Sequence, residues 1–153
     1  MKKHLYRAGL WLAVLTLMAL IFGFSAQSGD ESGVVSGIIT QPITEALSSM
    51  HPDLQQAEME SLYILVDQVI RKTAHFCEYA LLGFLICLLC RSYGILSWRL
   101  PWLIGSVYAV TDEVHQLFQP ARSCQVSDII LDACGAFFGV MFIGIIKKIR
   151  RSQ

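Results

Sequence analysis

The segment 111–132 concentrates side chains that could transfer protons or bind a charged ligand. Asp112, Glu113 and His115 stand close together near its start, and Asp128 and Asp132 stand near its end. Apolar segments flank it on both sides, and an ionisable residue at the centre of a membrane costs about 2.5–3.5 kcal/mol on insertion scales. Such residues usually face a protein interior and mark a functional site, so this segment is the first candidate.

A second polar stripe lies before it in the chain. Arg71 and His75 are four residues apart, and His75 and Glu78 are three apart, so a helix would carry all of them on one face. The segment 111–132 shows the same spacing twice: Asp112 stands three and four residues before His115 and Gln116, and Asp128 stands four residues before Asp132. We therefore expect three helices to bring basic and acidic groups to the same depth, in the outer third of a membrane. The candidate ligand-binding residues are Arg71, Lys72, His75, Glu78, Asp112, Glu113, His115, Gln116, Arg122, Asp128 and Asp132.

The chemistry that these residues favour is capture of an anionic head group. Arg71, Lys72 and Arg122 could meet a phosphate or carboxylate, since arginine suits bidentate binding of such groups. A pocket that opens outward from a membrane would accept a lipid. We expect an anionic envelope lipid or a polyprenyl-linked cell-wall intermediate as the partner.

Two other chemistries remain open. His75, Glu78, Asp112 and His115 are candidate acid–base catalysts for an enzyme acting on a lipid head group, although no nucleophile is identified. Imidazole and carboxylate also suit zinc or manganese. The spacings match no standard motif such as His-Glu-x-x-His, so no metal or other cofactor is predicted, and a divalent metal is the less favoured alternative.

A purely structural interpretation is the third alternative. Arg71, Lys72 and Arg122 would then neutralise Glu78, Asp112 and Asp128 and lock the helices together. A buried network of this kind can fix helix register while adding little stability, because desolvation offsets most of the Coulomb gain.

The elements that must position these residues are membrane-spanning helices. The chain has 153 residues, 54% of them hydrophobic and only 16% charged, with a mean hydropathy of +0.52. This predicts a single membrane domain over 1–153, an all-α bundle of four transmembrane helices. Each predicted span is close to the roughly 20 residues that cross a membrane. The spans are approximately 8–24, 73–90, 100–118 and 128–146.

The long loop 25–72 between the first two spans carries its own helical signals. Apolar residues recur at helical spacing from Val34 to Leu47, which predicts an amphipathic helix on the outer surface. Pro42 should kink or interrupt it. A second helix is expected from near Leu54 through Ile70 into the second span. The first span is too long for a typical signal-peptide core and is expected to stay as an anchor.

The basic residues predict the orientation. Most of the 12 lysines and arginines fall at one predicted face, which should be cytoplasmic together with both termini. This indicates a multi-pass protein of the cytoplasmic membrane, and a nucleic-acid partner is not expected. The oligomeric state is not indicated. The residues of the basic face are Lys2, Lys3, Arg7, Arg91, Arg99, Lys147, Lys148, Arg150 and Arg151.

Three motifs give the chain a family resemblance. Phe24-Ser-Ala-Gln-Ser-Gly-Asp-Glu-Ser32, Arg71-Lys-Thr-Ala-His-Phe-Cys-Glu-Tyr79 and Asp112-Glu-Val-His-Gln-Leu-Phe-Gln-Pro-Ala-Arg122, with Asp128 and Asp132 after them, resemble the VanZ-like family. Ala121 stands where most of that family has glycine. The family includes a protein associated with resistance to the glycopeptide teicoplanin, so the resemblance implies an envelope role and a possible link to antibiotic resistance.

Overall fold

The fold is entirely helical over the part of the chain that can be described. The computed structural model describes residues 1–27, 29–51, 53, 55–119 and 124–151, with side chains for all of these except 29–31 and 147–151. No strand occurs within these ranges, which confirms the predicted fold class. The helices are α1 (Lys2–Ser25), α2 (Gly29–Ser49), α3 (Gln56–Ser92), α4 (Arg99–Gln116) and α5 (Val126–Arg151).

Three of these helices are long and apolar enough to cross a membrane. They are α1, α3 and the part of α5 that ends at Ile146. The predicted span 100–118 is also a helix, α4, but Arg99, Asp112 and Glu113 keep it from meeting the same criterion. The chain therefore has the character of a membrane protein, with three candidate spans where four were predicted.

The most extensive helix interface joins α3 to α5, and glycines make it close. A methyl group on Gly139 would collide with the carbonyl oxygen of Ala80, and one on Gly135 would lie 2.5 Å from the carbonyl oxygen of Phe76. Small residues at such contacts let two backbones approach each other in a membrane. Gly135 and Gly139 therefore let α3 and α5 pack closely within the chain.

The helices α3 and α5 run in the same direction where they pack. The ring centroids of Phe76 and Phe138 lie 6.0 Å apart, and those of Phe84 and Phe142, further along both helices, lie 6.4 Å apart. Later residues of α3 therefore contact later residues of α5. The end of α3 and the start of α5 consequently lie at opposite ends of the bundle.

The helix α4 runs back between them. Near its start Trp102 donates a hydrogen bond from Nε1 to the carbonyl oxygen of Ala133, 3.1 Å away. Near its end the carboxylate of Glu113 accepts a hydrogen bond from the backbone N–H of Gln125, at the beginning of α5, at 2.7 Å. Later residues of α4 thus meet earlier residues of α5, so the two helices are antiparallel.

The first helix packs along α3 in the opposite direction. Leu10, Val14 and Ile21 are buried on one face of α1, as helical periodicity requires. At one end Arg7 donates two hydrogen bonds, at 2.7 and 3.1 Å, to the carbonyl oxygen of Ser92 at the end of α3. This is the predicted basic end of the bundle, and the acidic candidate residues lie toward the other.

The helix α2 docks on the first half of α3 through hydroxyl groups. Ser36 and Thr40 donate hydrogen bonds to Oδ1 of Asp67 at 2.5 and 3.2 Å. The apolar residues that predicted this helix, such as Val34 and Ile38, are exposed instead. The amphipathic pattern is therefore present, but its polar face packs on α3 because Asp67 supplies a buried acceptor.

Two predictions for the loop can be compared with the helices. Pro42 lies inside α2 and does not interrupt it, so of the two predicted effects only a kink stays a prediction. The helix α3 begins at Gln56, close to the predicted start near Leu54, and continues through the second span as predicted. Its 37 residues correspond to about 55 Å at 1.5 Å per residue, well over the roughly 30 Å of a hydrocarbon core.

Candidate functional site

The polar side chains predicted on three helices meet between α3, α4 and α5. Asp112 and Glu113 come from the last turns of α4 and Asp132 from the second turn of α5, each only 2% exposed. His75 of α3 lies against them. We call His75, Asp112, Glu113 and Asp132 the carboxylate cluster. The α3–α5 contact positions it, because Asp132 stands three residues before Gly135 and His75 stands one before Phe76.

The first helix completes the surroundings of Asp112. Ser25, fully buried at the end of α1, donates a hydrogen bond to Oδ2 of Asp112 at 2.7 Å. The side-chain amide of Gln116 lies 3.5 Å from the same oxygen. The other oxygen, Oδ1, is buried and has no hydrogen-bond partner among the described residues.

Asp132 has a similar one-sided environment. Its Oδ2 lies 3.9 Å from Nδ1 of His75, an ion-pair distance rather than a hydrogen bond. Its Oδ1 is buried and, within the described ranges, also lacks a hydrogen-bond partner. One ligand atom each of His75, Asp112 and Asp132 lies within 4.8 Å of the others. Two buried carboxylates and an imidazole thus converge on one small volume.

A narrow cavity of about 20 Å³ opens beside the carboxylate cluster. His75, Glu113 and Asp132 form its inner wall, and the ion pair between Lys72 and Asp128 lies on its outer side. The Lys72 and Asp128 side chains are 43% and 30% exposed, so this rim reaches the surroundings of the protein. A cavity of this size holds about one water-sized species rather than a whole lipid head group.

Some predicted site residues lie apart from the carboxylate cluster. Arg71 pairs with Asp67 at 3.0 Å, a carboxylate outside the structural network considered above, whereas the pair of Lys72 with Asp128 belongs to that network. The ring of His115 stacks on Phe22, with centroids 4.2 Å apart. Glu78 is half-buried one turn from His75 on α3, close enough to Asp112 and Asp132 for their charges to interact. Arg122 lies outside the described residues.

Two residues that matter at the site were missed by the sequence patterns. Ser25 was not among the candidate site residues, yet it continues the buried face of α1 one turn after Ile21. Asp67 stands four residues before Arg71 and could have been found from that i, i+4 spacing. The hydroxyls that bind it, on Ser36 and Thr40, show the same spacing on α2.

Comparison with known proteins identifies the family of the chain. No curated protein and no solved structure matches it. A model of the VanZ/LLP1 family, however, matches residues 10–147, a range that begins in α1 and ends in α5. That range includes every residue of the candidate site. The three motifs quoted above lead to the same conclusion, and the chain belongs to the VanZ/LLP1 family.

Proposed function

We propose that this protein binds the anionic head group of an envelope lipid or a lipid-linked cell-wall precursor at the rim of the carboxylate cluster. The observation that carries the proposal is the part-exposed Lys72, held at the mouth of a polar cavity between helices of a membrane protein. Ionisable residues are costly in such a setting unless they serve a site. A phosphate at the rim would meet an ammonium group that is still open to its surroundings.

Electrostatics favours the rim over the interior as the binding position. The interior is acidic, with Asp112, Glu113 and Asp132 all buried, so it would repel an anion. The rim carries Lys72. Its pair with Asp128 is substantially exposed and contributes about 0–1 kcal/mol, so Lys72 can turn toward a phosphate, and we assign Arg122 to the same role. Arg71, one residue earlier on α3, pairs with the buried Asp67 and lines a separate pocket against α2.

The proposal includes a fourth membrane crossing by α4. Two helices that cross in the same direction, as α3 and α5 would, need a returning segment between them. The helix α4 connects them and runs antiparallel to α5, and its 18 residues correspond to about 27 Å. Its acidic residues face the bundle rather than lipid, because Asp112 and Glu113 are buried. The basic end formed around Arg7 would then be cytoplasmic, in the cytoplasmic membrane.

An enzymatic version of the same site has less support. His75 stands beside the buried Asp132 and could act as a general base. The hydroxyl nearest the carboxylate cluster, that of Ser25, is fully buried and already donates to Asp112, so a substrate would not reach it. Binding is therefore the function that we favour. A link to glycopeptide resistance enters through the family alone, and teicoplanin susceptibility with and without the chain tests it.

The experiment that tests head-group binding is mass spectrometry of lipids that co-purify with the full chain in mild detergent. The variant Lys72→Gln removes the rim cation, and Arg122→Gln removes the arginine that we assign to the same role. Arg99→Gln is the matched control, because it removes an exposed arginine from the opposite end of the bundle.

Wild type and the Arg99→Gln control should enrich the same anionic lipid, and each rim variant should reduce that enrichment at least tenfold. Equal enrichment in all four proteins would remove the rim assignment. No selective enrichment in any of them would favour the structural interpretation, in which the polar residues only fix helix register.

A further inference from the structure

We propose that His75, Asp112 and Asp132 bind a divalent transition cation, zinc or manganese, between α3, α4 and α5. One imidazole nitrogen and two carboxylate oxygens converge there within 4.8 Å of one another. The residues come from three different helices and are far apart in the sequence. This explains why no local metal-binding motif was visible.

Unpartnered buried oxygens are the observation that points to a ligand. Oδ1 of Asp112 and Oδ1 of Asp132 have no hydrogen-bond partner among the described residues, although both side chains are only 2% exposed. The hydroxyl of Tyr79 is wholly buried beside Asp112 and interacts with that carboxylate, so it is not counted as unpartnered. Buried polar atoms in native proteins nearly always have a partner, so two unpartnered carboxylate oxygens at one place call for a bound species.

Charge selects a cation as that species. In the described part of the chain, no lysine or arginine forms an ion pair with Asp112 or Asp132, because Lys72 pairs with Asp128 and Arg71 with Asp67. Two adjacent buried carboxylates repel each other unless one of them takes up a proton or a cation lies between them. A water molecule would supply two hydrogen-bond donors but no charge. A divalent cation would balance both carboxylates at once.

The residue types suit a first-row transition cation, and the cluster would have to close around it. Ligand atoms about 2.1 Å from a tetrahedral metal lie about 3.4 Å apart, so atoms separated by up to 4.8 Å must approach each other by about 1 Å or more when the ion binds. Imidazole together with carboxylate suits zinc or manganese better than calcium or magnesium. The cavity of about 20 Å³ beside the cluster leaves room for one further ligand, such as a water.

A hydrogen bond from a residue outside the metal site orients one of the proposed ligands, Asp112. Ser25 fixes the plane of the Asp112 carboxylate through its 2.7 Å hydrogen bond to Oδ2, which leaves Oδ1 for the ion. A cation bound here would also neutralise the negative charge of the buried carboxylates. Its open position would attract the phosphate of a head group bound at the rim, a consequence that rests on the proposed function.

The test is metal binding by the full chain, purified in mild detergent without a histidine tag and stripped with a chelator. Zinc binding is measured by isothermal titration calorimetry and manganese binding by electron paramagnetic resonance. The variants are His75→Gln, Asp112→Asn and Asp132→Asn. Asp67→Asn is the matched control, because Asp67 is a buried carboxylate on α3 outside the cluster.

We expect wild type and Asp67→Asn to bind one ion per chain. Each cluster variant should bind the ion at least ~100-fold more weakly, because losing a direct ligand should cost at least as much affinity as losing a residue that only orients a ligand. The metal-free Asp112→Asn and Asp132→Asn variants should melt no lower than metal-free wild type, since neutralising one carboxylate relieves repulsion. His75→Gln provides a second test, because its part-exposed side chain tolerates substitution better than the buried carboxylates.

No stoichiometric ion in wild type would overturn the cation site, as would unchanged affinity in Asp112→Asn and Asp132→Asn. The lipid measurement separates this outcome from the fate of the proposed function. Anionic lipid retained equally with and without chelator, in a chain that binds no ion, removes the cation and keeps head-group binding. An ion bound without any lipid enrichment would support the cation site and remove head-group binding.

Discussion

The hydroxyl of Ser25 donates a 2.7 Å hydrogen bond to Oδ2 of Asp112, which ties the end of α1 to the last turns of α4. Both residues are buried, with Asp112 only 2% exposed. This bond joins the first span to the helix that carries two of the five acidic candidate residues, Asp112 and Glu113. Any role of Asp112 therefore depends on where α1 ends.

Replacing Ser25 with alanine should destabilise the protein. The substitution leaves a buried carboxylate oxygen without its strongest donor, which costs about 1–3 kcal/mol of unfolding free energy. Thermal unfolding in detergent measures the effect. Ser61→Ala is the control, because that exposed serine bonds only to its own helix and should change stability by less than ~0.5 kcal/mol. Equal melting of the two variants would contradict a structural role for the Ser25 bond.

Two glycines of α5 should respond oppositely to the same substitution. Gly139→Ala places a methyl group against the carbonyl oxygen of Ala80 and should cost about 1–3 kcal/mol through overpacking of α3 on α5. Gly144→Ala meets open space and should cost nothing, since alanine favours helix by about 1 kcal/mol over glycine. Unfolding of both variants in the same detergent checks this. If Gly139→Ala were as stable as Gly144→Ala, the close α3–α5 contact would be wrong.

The ion pair at the rim should contribute little to stability. Lys72 and Asp128 are substantially exposed, so Asp128→Asn should lower the unfolding free energy by no more than ~1 kcal/mol. The same measurement on Asp67→Asn should give a larger loss, because Asp67 is buried and accepts hydrogen bonds from Ser36 and Thr40. A large loss in Asp128→Asn alone would favour a structural role for the rim.

The topology is testable with engineered cysteines in a cysteine-free background. Ser97→Cys lies between α3 and α4, and Ser127→Cys lies at the start of α5. If α4 crosses the membrane and the basic end is cytoplasmic, a membrane-impermeant maleimide should label only Ser127→Cys in intact cells and both variants after permeabilisation. Labelling of both sites in intact cells would exclude the crossing by α4.

Much of this architecture could be predicted from local periodicity. The polar residues on α3, α4 and α5 recur at three- and four-residue spacing, so each helix face could be assigned before any contact was known. The spacing of Gly135 and Gly139 likewise predicted a close contact within the chain. These features lie within single helices, where the chain itself fixes which residues are neighbours.

Partner choice between helices could not be predicted in the same way. Lys72 had several acidic residues within reach, and its pairing with Asp128 depends on how α3 meets the start of α5. The polar face of α2 packs inward because Asp67 offers Ser36 and Thr40 a buried acceptor, which a periodicity cannot reveal. The convergence of His75, Asp112 and Asp132 needed the register of three helices.

The measurement that tests head-group binding most directly is calorimetric titration of the purified chain with a soluble short-chain phosphatidic acid, with short-chain phosphatidylcholine as the zwitterionic comparison. We predict selective binding of the acid, at least tenfold weaker in Lys72→Gln and unchanged in Arg99→Gln. Equal affinity for both lipids, or full affinity in Lys72→Gln, would contradict a head-group site at the rim of the carboxylate cluster.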